Sequence, residues 1–397
     1  MPSELRVDNI NSTTSPYDPV FSTTGGALSH RNMIINGAMQ VAQRGTSFSN
    51  KLAANSTYTM DRFTTEWYNG SETAKATISQ YSLGTTESPR VNEGLIYAYK
   101  LDCTTAIANQ NANTNNLETI DYKIEAQDCQ RLRYGTASAQ TVSLSFWFKS
   151  PKAGIHIVSL MQLDNSNKIY LREFTITTAN TWQKIHVTFP GDTSGVINND
   201  TGAGLRISWP LYAGNDRHGS KDEWRAYGVD HTTSNQQNLL DNTANDIYLT
   251  GVQLELGTVA TPFEHRSYAD ELLRCMRYYC VLGSIIGTGY QNGSSQLIVP
   301  LGDAGVNDAS LNSKAIPMGS VPFRATPTIS GTLGSASFAN HSGNAEFTSN
   351  TLSTIVVSTT GTITLTASST FNTNGQNDNS SMSCYYNGKT IDCSAEL

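Results

Sequence analysis

The stretch TVSLSFWFKS (residues 141–150) decides the fold. Val142, Leu144, Phe146 and Phe148 fall on one side of an extended chain, and Ser143, Ser145, Trp147 and Lys149 on the other. Side chains alternate with period two along a strand, so this is the pattern of an antiparallel strand with one face on a core and one toward solvent. TWQKIHVTF (181–189) repeats it, with Ile185, Val187 and Phe189 opposed to Trp182, Lys184, His186 and Thr188. LRISWPL (205–211) puts Leu205, Ile207 and Trp209 on one face. In IYLTGVQLELG (247–257), Tyr248, Val252, Leu254 and Leu256 alternate, and Gly251 marks a bulge. Turn chemistry separates such runs at Ser150-Pro151, Asp164-Asn165-Ser166 and Pro190-Gly191-Asp192. Many short strands with almost no helical period predict an all-β chain built on a jelly-roll β-sandwich over residues 31–265.

Outward from the sandwich the texture changes on both sides. SYADELLRCMRYY brings Leu272, Leu273, Met276 and Tyr279 together at helical spacing, with Asp270 four residues before Arg274. It predicts one short amphipathic connecting helix within 266–282, its apolar face packed on the sandwich or on a symmetry mate. Residues 283–397 are nearly free of charge, and TPTISGTLGS and TIVVSTTGTITLTAS alternate β-formers with glycine turns. They predict a smaller C-terminal β domain whose end, CYYNGKTIDC, carries the hairpin signal Asn387-Gly388. Residues 1–30 read as an extended arm, broken by Pro2, Pro16, Pro19 and Gly25-Gly26. Leu5, Val7 and Asn9 allow one short strand there, which needs another chain or a docking partner to bury it.

Composition excludes several classes of function. At 397 residues two or three domains are expected. Only 15% of residues are charged, against about 25% in an ordinary globular chain, which suits polar strand faces and argues against a helical bundle. A net charge of −7 without a basic run excludes nucleic acid as main partner. No apolar stretch is long enough for a membrane helix, so no membrane insertion is expected, and the first residues lack the pattern of a secretory signal. Cysteines stand at 103, 129, 275, 280, 384 and 393. The pairs 103/129 and 384/393 are open to bridging in an oxidising setting, while free buried thiols are the expectation without a signal sequence. No C-x-x-C and no His at ligand spacing beside a Cys points to zinc.

The order of motifs across the middle of the chain resembles a widespread class of bacteriophage tail-fibre and virion structural proteins. The motifs are RNMIINGAMQVAQRG (31–45), YTMDRF (58–63), VSLSFWFKSPKAG (142–154), TWQKIHVTFPGD (181–192), GVQLELGTVATPFEHRSYADELLRCMRYY (251–279) and VPFRATPTIS (321–330). Residues 3–10, SELRVDNI, are similar to the opening of such proteins. The resemblance implies a carbohydrate-binding-module-like jelly roll in a homotrimeric virion protein, assembled in the host cytoplasm and released by lysis. It implies attachment to other virion proteins through the arm, contact with host cell-surface carbohydrate, and a host-facing tip at 283–397. A capsid-decorating or head-fibre protein that stabilises the particle is the structural alternative; a glycan depolymerase is the enzymatic one.

Within that frame the motifs themselves read as scaffold: Asp61-Arg62 ties a strand end to a neighbouring loop, Phe63 enters the core, and ATPFEHR closes the sandwich. Neither G-x-S-x-G nor H-E-x-x-H occurs, and carboxylate pairs such as Asp222-Glu223 and Asp270-Glu271 read as solvated acids, so no catalytic residue is assigned. Sugar binding needs aromatic faces beside planar hydrogen-bonding groups. The segment LYAGNDRHGSKDEWRAYGVDH (211–231) offers Tyr212, Trp224 and Tyr227 with Asp222 and Arg225, among Asn215, Asp216, Arg217 and His218. The competing reading makes Trp224 a lid folded onto the sandwich edge. Tyr385 and Tyr386 form a second candidate. No cofactor is required; a structural Ca2+ at Asn198-Asn199-Asp200 or Asp241-Asn242 is the one the loops allow, and the same residues are default turn formers.

Overall fold

The period-two runs become strands of two facing sheets in the computed structural model. The structure describes residues 30–51, 57–68, 74–107, 116–164 and 167–281. Beyond these it describes 296–303, 314–317, 323–330, 335–339, 345–357, 362–367, 381–387 and 392–397. The arm expected at 1–30, with Leu5, Val7 and Asn9, lies outside the described residues except for His30.

The chain divides into two compact units, the first comprising Met1–Gln40, Ser47–Thr57 and Thr64–Arg266. Its strands are β1 (Ser47–Lys51), β2 (Thr57–Tyr58), β3 (Phe63–Tyr68), β4 (Lys75–Ser82), β5 (Tyr97–Thr105), β6 (Leu117–Glu125) and β7 (Val142–Lys149). They continue as β8 (Gly154–Gln162), β9 (Lys168–Ile176), β10 (Gln183–Phe189), β11 (Ala203–Ala213), β12 (Arg225–Ala226) and β13 (Asp246–Leu256). One sheet runs β1-β4-β5-β13-β7-β10 and the other β12-β9-β8-β11-β6-β3-β2. The core lies between them. Phe146 of β7 meets Phe174 of β9 and Trp209 of β11 edge-on, with ring centroids 5.3 and 5.6 Å apart. Phe148 meets Phe174 and His156 at 5.6 and 5.7 Å. Val142, Leu144, Phe146 and Phe148 are all buried, as the alternation requires, and truncating a ring such as Phe146 to alanine costs about 3–5 kcal/mol.

Two expectations about the strands need correction. β7 is buried on both faces, because Ser143, Ser145 and Trp147 are covered as well. The cover on that outer face is an apolar cluster of Ala38, Leu83, Leu95, Ala98, Trp147, Trp182 and Tyr248, flanked by Tyr81 and Phe263. Tyr248 is therefore not on the core face with Leu254. The bulge expected at Gly251 is present, between Thr250 and Gln253, and it inverts the alternation. Leu249 opposes core-facing Phe148 before it and Leu254 opposes Leu144 after it, so Tyr248 points outward. Gly251 sits at φ +62°, and a Cβ there would lie 2.8 Å from Leu95 and 3.0 Å from Trp147, so the bulge needs glycine.

A short helix α1 (Ser88–Glu93) was not foreseen; Pro89 opens it and Gly94, at φ +65°, closes it. Residues 30–34 run along β13, where Asn32 Oδ1 accepts from the Leu254 amide at 3.1 Å and Glu264 accepts from the Asn32 amide at 2.7 Å. The ATPFEHR segment thus pins residues 30–34 to the sandwich, with Arg31 Nη2 donating to the Pro262 carbonyl at 2.9 Å.

The second unit comprises Val41–Thr46, Tyr58–Phe63 and Ser267–Leu397. It contains α2 (Tyr268–Met276), β14 (Tyr279–Val281), β15 (Gln296–Asp303), β16 (Lys314–Pro317), β17 (Thr328–Ser330) and β18 (Ser335–Ala339). It ends with β19 (Ala345–Val357), β20 (Thr362–Ala367), β21 (Ser381–Asn387) and β22 (Asp392–Ser394). The sheets are β14-β22-β17 and β15-β21-β18-β19-β20-β16. β21 and β22 lie in different sheets, and Gly388 of the expected Asn387-Gly388 turn lies outside the described residues.

In α2, Ser267 caps the Asp270 amide at 3.2 Å and Asp270 pairs with Arg274 at 3.3 Å. The helix buries Glu271 and Cys275; of the expected apolar stripe, Tyr279 is buried and Leu272 and Met276 are half-buried, while Leu273 is exposed. Asp61 ties its strand end to the neighbouring loop, accepting from the Gln43 amide at 3.1 Å, and Arg62 reaches farther. Fully buried at φ +73°, it stacks on Tyr278 with 3.5 Å from guanidinium carbon to ring centroid and pairs with Glu396. Arg44 stacks on Tyr279 at 3.5 Å and pairs with Asp61 and Glu396, each at 3.1 Å. Burial pushes the Asp61 carboxyl up to about 6 against the pull of Arg44.

Candidate functional site

The two outer faces of the sandwich are built differently. On the seven-stranded sheet, register aligns Asp121, Ser208 and Ser159 across β6, β11 and β8, all fully buried. Arg206 bridges Asp121 and Glu66, the latter at 2.9 Å, and Lys123 reaches Glu66 at 3.0 Å. Burial holds the Asp121 carboxyl above the ordinary carboxylate range, with Arg206 pulling it down. Segment 214–233 lies over this layer. Tyr227 packs on Ile157, Met161, Ile169 and Leu171, and its hydroxyl hydrogen-bonds His231 Nε2 at 2.6 Å. Burial, then Arg206 and Arg217, holds His231 well below the usual imidazole range.

The residues singled out in 211–231 are mostly fasteners of that cover. Trp224 Nε1 donates to the Pro190 carbonyl at 2.7 Å, and its ring meets Tyr170 and Tyr134 edge-on at 5.5 and 5.8 Å. Arg225 pairs with Asp230 and donates through Nε to the Ser220 carbonyl at 3.1 Å. Asp222, at φ +65°, accepts from Arg172 at 2.6 Å on the surface. Tyr212 is separate from these four: it lies on β11 with no exposed surface, so it presents no face to a ligand. Tyr385 and Tyr386 stand on β21 opposite Ile298 and Leu297. In the loops considered for Ca2+, Asp200 Oδ1 accepts from the Gly202 amide at 2.7 Å and Asn242 Oδ1 from the Ala244 amide at 2.9 Å. Asp241 is engaged by Lys152 and, at 3.0 Å, by Asn245. No helix among the described residues is long and apolar enough to cross a membrane.

On the six-stranded sheet the outer face is assembled from alternate residues of β4, β5, β13 and β7. Register places Ser79 beside Lys100, Lys100 beside Tyr248 and Tyr248 beside Lys149. One row away, Thr77, Asp102 and Asp246 line up. The half-buried Tyr81 ring meets Tyr248 edge-on at 5.1 Å, and Trp182 backs Tyr248 at 5.8 Å. The Lys149 and Lys100 ammonium groups stand 4.7 and 5.7 Å from the Tyr248 centroid. Tyr248 Oη donates to Asp246 Oδ2 at 3.1 Å, and Lys100 pairs with Asp246 at 3.1 Å.

These rings are fixed from below. Trp147 and Trp182 donate their indole N–H to Glu93 and Glu87 at 2.7 and 2.8 Å. Burial, then the Glu87 carboxylate, raises the Tyr81 phenol above its ordinary value. The Asp102 carboxyl is raised by burial; Lys100 opposes this, and Asp246, which shares a hydrogen bond with it, adds to it. The result is one half-buried aromatic face, that of Tyr81, braced by the buried Tyr248, Trp147 and Trp182 and rimmed by carboxylates, ammonium groups and hydroxyls that are partly open to solvent. It can cover the apolar face of a sugar ring while its rim exchanges hydrogen bonds with hydroxyls.

Tyr81, Lys100, Asp102 and Asp246 escaped the sequence reading. The signal was available: KATISQYS (75–82) and YAYKLDC (97–103) carry the same period-two alternation as 141–150. Ala76 and Ile78, like Tyr99 and Leu101, are buried on the core side, leaving Thr77, Ser79 and Tyr81, and Lys100 and Asp102, outward.

No protein-family model matches the chain, and no curated protein does. Among solved structures, the enzymatically active domain of bacteriophage CBA120 tailspike protein 4 aligns at 10% identity over 57% of this chain, with a TM-score of 0.29. The match spans 21% of that tailspike chain. A family 4 carbohydrate-binding module aligns over 56% of this chain and 98% of its own at 14% identity and TM-score 0.28. A family 11 carbohydrate-binding module from Clostridium thermocellum, solved with a β-1,3-1,4-mixed-linked tetrasaccharide, does so over 55% and 97% at 14% identity and TM-score 0.26. Likeness of this degree bears no functional argument; the sandwich rests on its own two sheets.

Proposed function

We propose that this chain is a non-enzymatic glycan-binding protein whose saccharide site is the outer face of the six-stranded sheet. The observation that carries the proposal is the Tyr81–Tyr248 pair held edge-on between Lys100, Lys149, Asp102 and Asp246 on neighbouring strands. Tyr81 contributes its half-buried ring, and Asp102 and Asp246 accept from sugar hydroxyls. Two carboxyls close enough to share a hydrogen bond are poorly spaced for glycoside hydrolysis, which sets them at least about 5 Å apart across the scissile bond. That spacing supports binding without turnover.

The wider setting we infer is a bacteriophage tail fibre or adhesin, homotrimeric, joined to other virion proteins through residues 1–30 and presenting 283–397 to the host. The order of the six motifs across residues 31–330 supports it. Three copies multiply a weak single-site affinity through valency.

An array of host capsular and lipopolysaccharide glycans tests the site. The unaltered protein and Trp224→Ala bind the same saccharide, whereas Tyr81→Ala loses about tenfold or more in affinity, equivalent to about 1.4 kcal/mol. Binding to no glycan, or loss with Trp224→Ala and not with Tyr81→Ala, contradicts the proposal. Release of reducing ends from a bound polysaccharide contradicts its non-enzymatic part.

A further inference from the structure

Within the second unit, β22 is the middle strand of the β14-β22-β17 sheet, and its Cys393 lies directly opposite Cys280 of β14. Both residues are buried. The Ala395 amide donates to the Tyr278 carbonyl at 2.7 Å. Hydrogen-bonded pairs recur every second residue along an antiparallel ladder, so Cys280 and Cys393 form such a pair too. Partners of that kind stand about 5.5 Å apart at Cα, inside the range of natural disulfides. The chain spacing that suggested 384/393 is misleading, because β21 carries Cys384 into another sheet, opposite Val299 and Phe338. Cys103 and Cys129 belong to the other unit and are free and buried.

We propose that Cys280 and Cys393 are a redox pair that closes to a disulfide and locks the C-terminal strand onto β14. With a small disulfide such as oxidised glutathione as oxidant, one protein thiolate attacks its S–S bond and releases one reduced glutathione. The second thiolate then attacks the protein sulfur of the mixed disulfide and releases the other, each thiol giving its proton to solvent. The protein loses two electrons and the oxidant gains them. Exchange proceeds from the opened end of the three-residue β22, since both sulfurs are covered in the closed sheet.

The test treats the full-length protein with oxidised glutathione, natively and during refolding from urea. Free thiols are then alkylated and the peptides mapped without reduction. The expected result is one cross-linked peptide containing Cys280 and Cys393, a mass loss of about 2 Da before alkylation, and full alkylation of Cys103 and Cys129. The cross-link closes a long loop, so the urea midpoint of the second unit rises by roughly 1 M or more over the reduced protein. In Cys280→Ser, Cys393 stops at the glutathione adduct and that rise disappears. A cross-link of Cys393 to Cys384 or Cys275, adducts without a cross-link, or thiols that stay free through refolding overturns the proposal. An unchanged urea midpoint overturns the locking role.

Discussion

The two outer faces of the sandwich began from the same alternation and ended in different states. On the seven-stranded sheet, the charges of Asp121, Glu66 and Arg206 are buried against one another, with the partly exposed Lys123 at their edge. On the six-stranded sheet a short cover from α1 and its flanks supports the rings and stops, leaving Tyr81, Lys100, Lys149, Asp102 and Asp246 within reach of solvent. Polar groups pair with one another on both faces, so the faces differ in burial rather than in pairing.

Removing the charge that balances the sealed face has the largest expected effect. Arg206→Met leaves Asp121 and Glu66 buried without that counter-charge, and urea unfolding should show a loss of about 3–5 kcal/mol. A loss below about 1 kcal/mol means that water reaches this layer and that the contrast between the faces is weaker than described.

Acid is the next probe. His156, buried behind the covered sheet and stacked on Phe174, is held down to about 4 by burial, from an ordinary value near 6.5. A group with a depressed folded value prefers to stay neutral in the fold. Its contribution is fully present above pH 6.5 and is lost as pH falls toward 4. The shift corresponds to on the order of 3 kcal/mol. Stability followed from pH 7 to 4 should fall by about that much more in the unaltered protein than in His156→Phe. The exposed His186 of the open sheet, bonded to Ser143 at 3.0 Å, should change that slope little when replaced. Equal slopes for both variants contradict the burial assigned to His156.

Trp224 gives a smaller and sharper test. As a lid over Tyr170 and Tyr134, Trp224→Ala should cost roughly 2 kcal/mol in unfolding and leave glycan affinity unchanged. The opposite pattern, unchanged stability with lost affinity, returns the binding role to the 211–231 loop.

How legible all this was depends on the range of the interactions. The strands at 142–149 and 183–189 were readable because one face of each meets a continuous core, which imposes strict alternation. Tyr248 was misassigned because one extra residue at Gly251 inverts every later position, and alternation counted across a bulge fails. The joining of Arg62 to Glu396, 334 residues apart, leaves no local trace, since neither residue's neighbours encode the other. The lid role of Trp224 was an open alternative in the sequence; only the Pro190 carbonyl and the two tyrosine rings distinguish it from a ligand contact. The outward residues themselves were written in the alternation of 75–82 and 97–103, but their meeting Tyr248 and Asp246 depends on strands β5 and β13 becoming neighbours across more than 140 residues.

Carboxyl footprinting tests the assignment of the binding face most directly. The side chains of Asp102, Asp246 and Asp222 are 42%, 35% and 46% exposed, so all three should react with a carbodiimide and amine in the free protein. With the tightest saccharide from the glycan array at saturation, labelling of Asp102 and Asp246 should fall severalfold while that of Asp222 stays constant. Protection of Asp222 with Asp102 and Asp246 still reactive would place the sugar on the 211–231 loop and contradict the account.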